Sequence, residues 1–269
     1  MLGARWAPHL ERLVPALLPY LREAHPLSDH ALAIGILAEG LNHVEAQGRH
    51  HLPTLLPHAL RCAAADDPTC RQNGAFCLGV LGCHGGEAAL PQMQIILSAL
   101  QERLAPGEEP VVQDNAVGAL SRIALAFGAT LPLPAILPAI ADRLPLTADE
   151  GENGPALRCL MRLMHGEATR AHAAPHLPRM LLAIGHLLAG GGPADGSGVA
   201  AQGAAKDGAG GATAVGGAAR ACPLDAEAEG EVRGFLTWAV AQSPAEMQGV
   251  VMGLPPHARD AILAVLQAP

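Results

Sequence analysis

One stretch of the chain returns 42 residues later, and that offset limits the fold more than any other feature. Asp67-Pro68 reappears as Glu109-Pro110, Cys70 as Val112, Asn73 as Asn115 and Leu78 as Leu120, without a gap between the matched positions. A shared offset of this size marks an array of supersecondary units, each burying its apolar face against its neighbours. Each copy reads as the start of a helix. Asp67 and Glu109 stand at N-cap positions, where an acidic side chain accepts backbone N–H groups, and proline follows where no donor is needed. Behind the first cap, Ala75, Leu78 and Leu81 share a helical face. Gly74, Gly79 and Gly82 leave room for a neighbouring helix.

A second pattern alternates with the first. Leu18, Leu56, Ile96, Leu137 and Leu182 sit in similar apolar, proline-marked segments at steps of 38, 40, 41 and 45 residues. These are the outer helices of successive pairs, the first expected over about Pro8 to Glu23 with a kink at Pro15. The second helices are expected over Asp29–Gly40, Asp67–Leu81, Val111–Ala126, Asn153–His165 and Glu227–Gln242, followed by two short closing helices. Breakers at His84-Gly85-Gly86, Ala105-Pro106-Gly107 and Gly151-Glu152-Asn153-Gly154 separate them. The fold class is therefore all-α, a superhelix of about five to six helix pairs running through residues 1–269 as one solenoid. Half of the residues are hydrophobic and only 2% aromatic, so the core is made of small and aliphatic side chains suited to close helix packing. From Gly190 to Arg220 there are 11 glycines and almost no bulky apolar side chain. Residues 190–222 read as a disordered Gly/Ala-rich insertion between the helices of the fifth pair.

The formal charge of −8 argues against nucleic acid as a partner, because neutralising phosphates requires a basic surface. The N-terminal segment carries Arg5, Glu11 and Arg12 among its apolar residues, and no run approaches a membrane span. The six cysteines have no paired C-x-x-C spacing and read as reduced, buried small residues in apolar surroundings that raise a thiol pKa. Thirteen histidines invite a metal site, with His50, His51 and His58 the densest group. No cysteine or carboxylate completes them at ligand spacing in the sequence, so no metal and no cofactor is expected. With no nucleophile elbow, phosphate loop or acid/base pair, the chain does not read as an enzyme.

Acidic residues recur near the ends of the second helices: Glu39, Asp66, Asp67, Glu108, Glu109 and Asp114. They suggest a stripe for a basic polypeptide. Helix capping is the stronger role for Asp67 and Glu109, which leaves Glu39 and Asp114 as contact candidates. Asn73 and Asn115 join them, since a side-chain amide can hold an extended backbone.

The pair length, the Asp-Pro step and Arg71-Gln72-Asn73-Gly74-Ala75 in a second helix look like a HEAT repeat. Arg71 to Gly86 resembles the C-terminal region of the importin-β (karyopherin-β) family. Four further pieces agree in order: Ala33–Glu39, Gln113–Arg122, Leu144–Glu150 and Leu254–Leu266. The resemblance implies a nuclear transport receptor, present in cytoplasm and nucleus, that carries basic protein cargo such as histones and ribosomal proteins. It also implies that Ran-GTP and nucleoporins engage only through N-terminal repeats that this sequence does not contain. Gln113 stands where Arg71 predicts a basic residue, so any Asp/Arg ladder is interrupted there. The alternative reading is a HEAT scaffold for protein assembly without transport activity.

Overall fold

The structure, a computed structural model, describes residues 3–190, 224 and 226–267. Its thirteen described α-helices build an all-α solenoid of HEAT-type pairs, with no strand among the described residues. The first four pairs are α1 (Gly3–Leu17) with α2 (Leu27–Val44), α3 (Leu52–Ala63) with α4 (Pro68–His84), α5 (Met93–Glu102) with α6 (Pro110–Phe127), and α7 (Leu133–Ala141) with α8 (Asn153–His165). Then come α9 (Glu167–Ala173), α10 (Leu177–Leu188), α11 (Ala226–Gln242), α12 (Pro244–Met252) and α13 (Pro256–Gln267).

Proline starts many of these helices. It occupies one of the first two helical positions of α3, α4, α6, α7, α10 and α12, where the missing N–H costs nothing. Inside α1, Pro8 and Pro15 do not end the helix. Both are exposed, so water can satisfy the carbonyls that they leave without a donor, and the expected kink helix becomes a continuous α1 to Leu17. The chain tightens only at Pro19, in a 3₁₀ turn over Leu18–Leu21.

The second helices α2, α4, α6 and α8 pack in succession, and α11 continues the row against α8. Glycines make the close approach possible. A Cβ on Gly79 would lie 2.5 Å from the Ala119 Cα of α6, and one on Gly74 would lie 2.3 Å from the Ala63 backbone of α3. Gly35 on α2 plays the same part toward Asn73 of α4, with 2.9 Å to its Nδ2. Leu10, Ile34, Leu55, Leu78, Ile96, Ile123, Leu137 and Leu160 form one continuous core along the array. At the far end α10 packs chiefly on α13, where Gly185 lies against Ala258. The short α9, not expected from the sequence, is held by Thr169, whose hydroxyl donates 2.7 Å to the Leu163 carbonyl. The Gly/Ala-rich stretch read as an insertion, 190–222, lies outside the described residues apart from Gly190.

Candidate functional site on the second-helix row

An apolar groove of about 500 Å³ opens where α1, α2 and α4 meet. Leu32 and Ile36, one turn apart on α2, form its apolar wall and are exposed by 65% and 39%. Glu39 and His43 continue the same face of α2, Trp6 closes the α1 side and Asn73 the α4 side. The spacing 32, 36, 39, 43 is that of one helical stripe. Two polar groups of its lining differ in access. Glu39 is exposed and makes no ion pair among the described residues. The Trp6 indole N–H is buried and has no acceptor among them.

The groove brings together two of the four contact candidates, Glu39 and Asn73. Asn73 donates 2.8 Å from Nδ2 to the Ala31 carbonyl, tying α4 to α2 and leaving its amide oxygen as an acceptor. The other two are spent inside the array. Asp114, 8% exposed, accepts the backbone N–H groups of Ala148 and Asp149 at 2.8 and 2.9 Å. Burial pushes its carboxyl above the usual range against the lowering effect of those bonds. Asn115, 4% exposed, donates to the Val111 carbonyl and to Asp149 Oδ2. Both anchor the segment before α8, so they have little surface to offer a partner.

The proposed acidic stripe is likewise broken up. Asp67 accepts the Cys70 N–H at 2.8 Å at the N-cap of α4. Glu109 occupies the N-cap of α6 but its side chain makes no capping bond, which corrects the expected role: the N–H equivalent to that of Cys70, on Val112, bonds to the Glu109 carbonyl, and Glu108 accepts the Glu109 N–H. Glu108 also takes Arg71 at 2.7 Å and Arg103 at 3.2 Å. The residue that replaces Arg71 in the next repeat, Gln113, donates to the Ala105 carbonyl, so that rung of the ladder is neutral. Further along, Arg122 grips Glu152 through both guanidinium nitrogens, at 2.5 and 3.0 Å, and lies 5.0 Å from the Phe76 ring centre. Arg122 and Arg158 both line a second cavity of about 380 Å³, each of them paired with a glutamate, Glu152 and Glu231.

Among the described residues, four of the five cysteines are buried and Cys83 is nearly so. Burial pushes the thiols of Cys77, Cys83 and Cys159 up to about 12. Cys70 is the exception to the expectation that apolar surroundings raise all of them. A hydrogen bond from the Cys62 thiol lowers it, and Cys62 rises in turn. Cys70 is itself fully buried, which keeps it from substrate. No described helix is long and apolar enough to cross a membrane.

Sequence reasoning missed one cluster. Glu11 of α1 lies against His50 and His51, which corrects the expectation that no carboxylate completes the histidine group. The 40 residues between them hid it, because only the packing of α1 on the 3₁₀ segment Glu45–His51 brings them together.

No family model matches the chain. Three curated proteins are similar to it. Human importin-4 is 33% identical over 147 residues, 55% of this chain and 14% of that protein. Mouse importin-4 is 31% identical over 150 residues, 56% of this chain and 14% of that protein. The probable importin subunit beta-4 of Schizosaccharomyces pombe is 23% identical over 162 residues, 60% and 15% of the two lengths. The matched part of the chain thus spans about a seventh of these relatives. The solenoid of helix pairs is thus similar, over 55–60% of its length, to a part of three importins.

Proposed function

We propose that the chain is the part of a nuclear transport receptor that holds a basic segment of protein cargo, of the kind found in histones and ribosomal proteins. The observation that carries this reading is the groove of Trp6, Leu32, Ile36, Glu39 and Asn73. An extended peptide seated there sets the stem of a lysine or arginine on Leu32 and Ile36 and its charged head on Glu39. The Asn73 amide oxygen accepts a peptide N–H, and the Trp6 ring walls the α1 side. The formal charge of −8 steers such a partner toward the chain. In this reading the protein shuttles between cytoplasm and nucleus, and Ran-GTP and nucleoporins act on repeats of a longer receptor.

Titration with a histone-tail peptide at physiological salt tests the proposal. The wild-type chain is expected to bind more tightly than an unrelated acidic solenoid, and Glu39→Lys to weaken binding roughly tenfold, equivalent to about 1.4 kcal/mol. Equal binding by the unrelated solenoid, or no effect of E39K, overturns it.

A further inference from the structure

We propose that Glu11, His50 and His51 form a surface site for a divalent transition metal of the Zn²⁺ class, pinning α1 to the turn that precedes α3. Nε2 of His50 and Nε2 of His51 both lie 2.9 Å from the same oxygen, Oε1 of Glu11. One potential ligand atom from each residue falls within 4.8 Å of the other two. Around a tetrahedral ion with bonds of ~2.0–2.2 Å, ligand atoms stand roughly 3.3–3.6 Å apart, so each histidine–glutamate contact opens by roughly half an ångström to admit one.

Hydrogen-bond accounting favours a cation at this point. Nδ1 of His50 lies 3.2 Å from the Gln47 carbonyl, an acceptor, so the ring proton belongs on Nδ1. A neutral imidazole has no second N–H, and Nε2 then turns a lone pair toward a carboxylate oxygen. Two acceptors 2.9 Å apart need a positive centre between them, which either a second ring proton or a metal ion supplies. With a metal ion there, the Gln47 bond has the form that usually orients a metal-bound histidine from behind.

The donor set selects the metal class. Two imidazoles and one carboxylate suit Zn²⁺ and its neighbours, whereas Mg²⁺ and Ca²⁺ prefer oxygen alone. His51 is buried at 8% exposure and provides a fixed ligand. The side chains of His50 and Glu11 are half exposed, at 56% and 51%, and leave the remaining coordination positions to water.

Because His50 and Glu11 are exposed, His50→Gln and Glu11→Gln leave the helical fold in place, which circular dichroism verifies. Calorimetric titration of the intact chain with ZnCl₂, and Co²⁺ absorption spectra, read the site. The expected result is a saturable Zn²⁺ equivalent whose affinity falls at least tenfold in each variant and is unchanged in His58→Gln, with no comparable Mg²⁺ binding. Absence of saturable binding, or binding that neither H50Q nor E11Q weakens, shows a hydrogen-bonded cluster only and overturns the proposal.

Discussion

Asp67 and Glu109 stand 42 positions apart before the same proline step, yet only the shorter side chain caps its helix. Asp67 reaches the Cys70 N–H directly, while at the second site the equivalent Val112 N–H bonds to the Glu109 carbonyl, and Glu108 takes the Glu109 N–H together with two arginines. A lost N-cap bond costs about 1 kcal/mol, within a range of about 0.5–2. Asp67→Ala is therefore expected to lower the urea stability of the chain by about 1 kcal/mol, and Glu109→Ala to change it by less than ~0.5. Equal losses in the two variants would contradict this division of roles. The repeat led to the same expectation for both residues, because position in a repeat is legible whereas the bond each N-cap side chain finally makes is not.

At the scale of elements, the row α2, α4, α6, α8 was readable because small residues recur where one second helix meets the next. Gly79 faces the Ala119 backbone and Gly35 faces Asn73, so the two glycines share a packing duty. A methyl group on Gly79 has to push backbone rather than a flexible side chain, since Ala119 Cα would be 2.5 Å away. Gly79→Ala is expected to cost about 1–3 kcal/mol as α4 and α6 separate. Gly230, inside α11 with nothing within 4 Å of an added Cβ, gives the opposite sign. Gly230→Ala is expected to stabilise by about 0.5–1 kcal/mol, through helix propensity and a less flexible unfolded chain. Thermal unfolding followed by circular dichroism distinguishes the two, and a neutral or stabilising G79A would show that the α4–α6 approach is not tight. What escaped the sequence at this scale was α9, whose seven residues bury only Thr169 and Ala173 and so carry almost no periodic signal. The contact candidates were legible as polar residues on second helices, but Asp114 and Asn115 turned inward because the segment at 148–149, over thirty residues away, uses them.

Across the whole molecule, an apolar core alone does not fix the order of stacking, and polar bonds tie each repeat to the next. Asn73 joins α4 to α2, Arg71 joins α4 to Glu108 before α6, Arg143 donates to the Leu104 carbonyl, Arg122 holds Glu152 before α8, and Arg158 reaches Glu231 of α11. These links respond differently to acid. Burial drives the Glu152 carboxyl above its ordinary value, outweighing the pull of Arg122, so its ionised form is held at a cost near neutrality that falls as the pH drops. Glu108 behaves the other way. Burial raises its carboxyl, but the hydrogen bonds from Arg71 and the Glu109 N–H, with the charges of Arg71 and Arg103, more than offset this and leave it below the ordinary 4.5. A carboxyl whose pKa is lower in the folded state contributes stability in full above its unfolded value and loses it as the pH falls through the folded value. Glu108→Gln is therefore expected to destabilise the array at pH 7 by about 1.5–3 kcal/mol, the range for hydrogen bonds to a charged group. The gap to wild type is expected to hold down to about the ordinary carboxylate pKa and then to close as the pH falls further. Urea unfolding of both proteins between pH 7 and pH 2 measures this gap directly. A difference that stays constant over the whole interval would mean that Glu108 acts through shape alone, and that the charge on this inter-repeat link does not support the array.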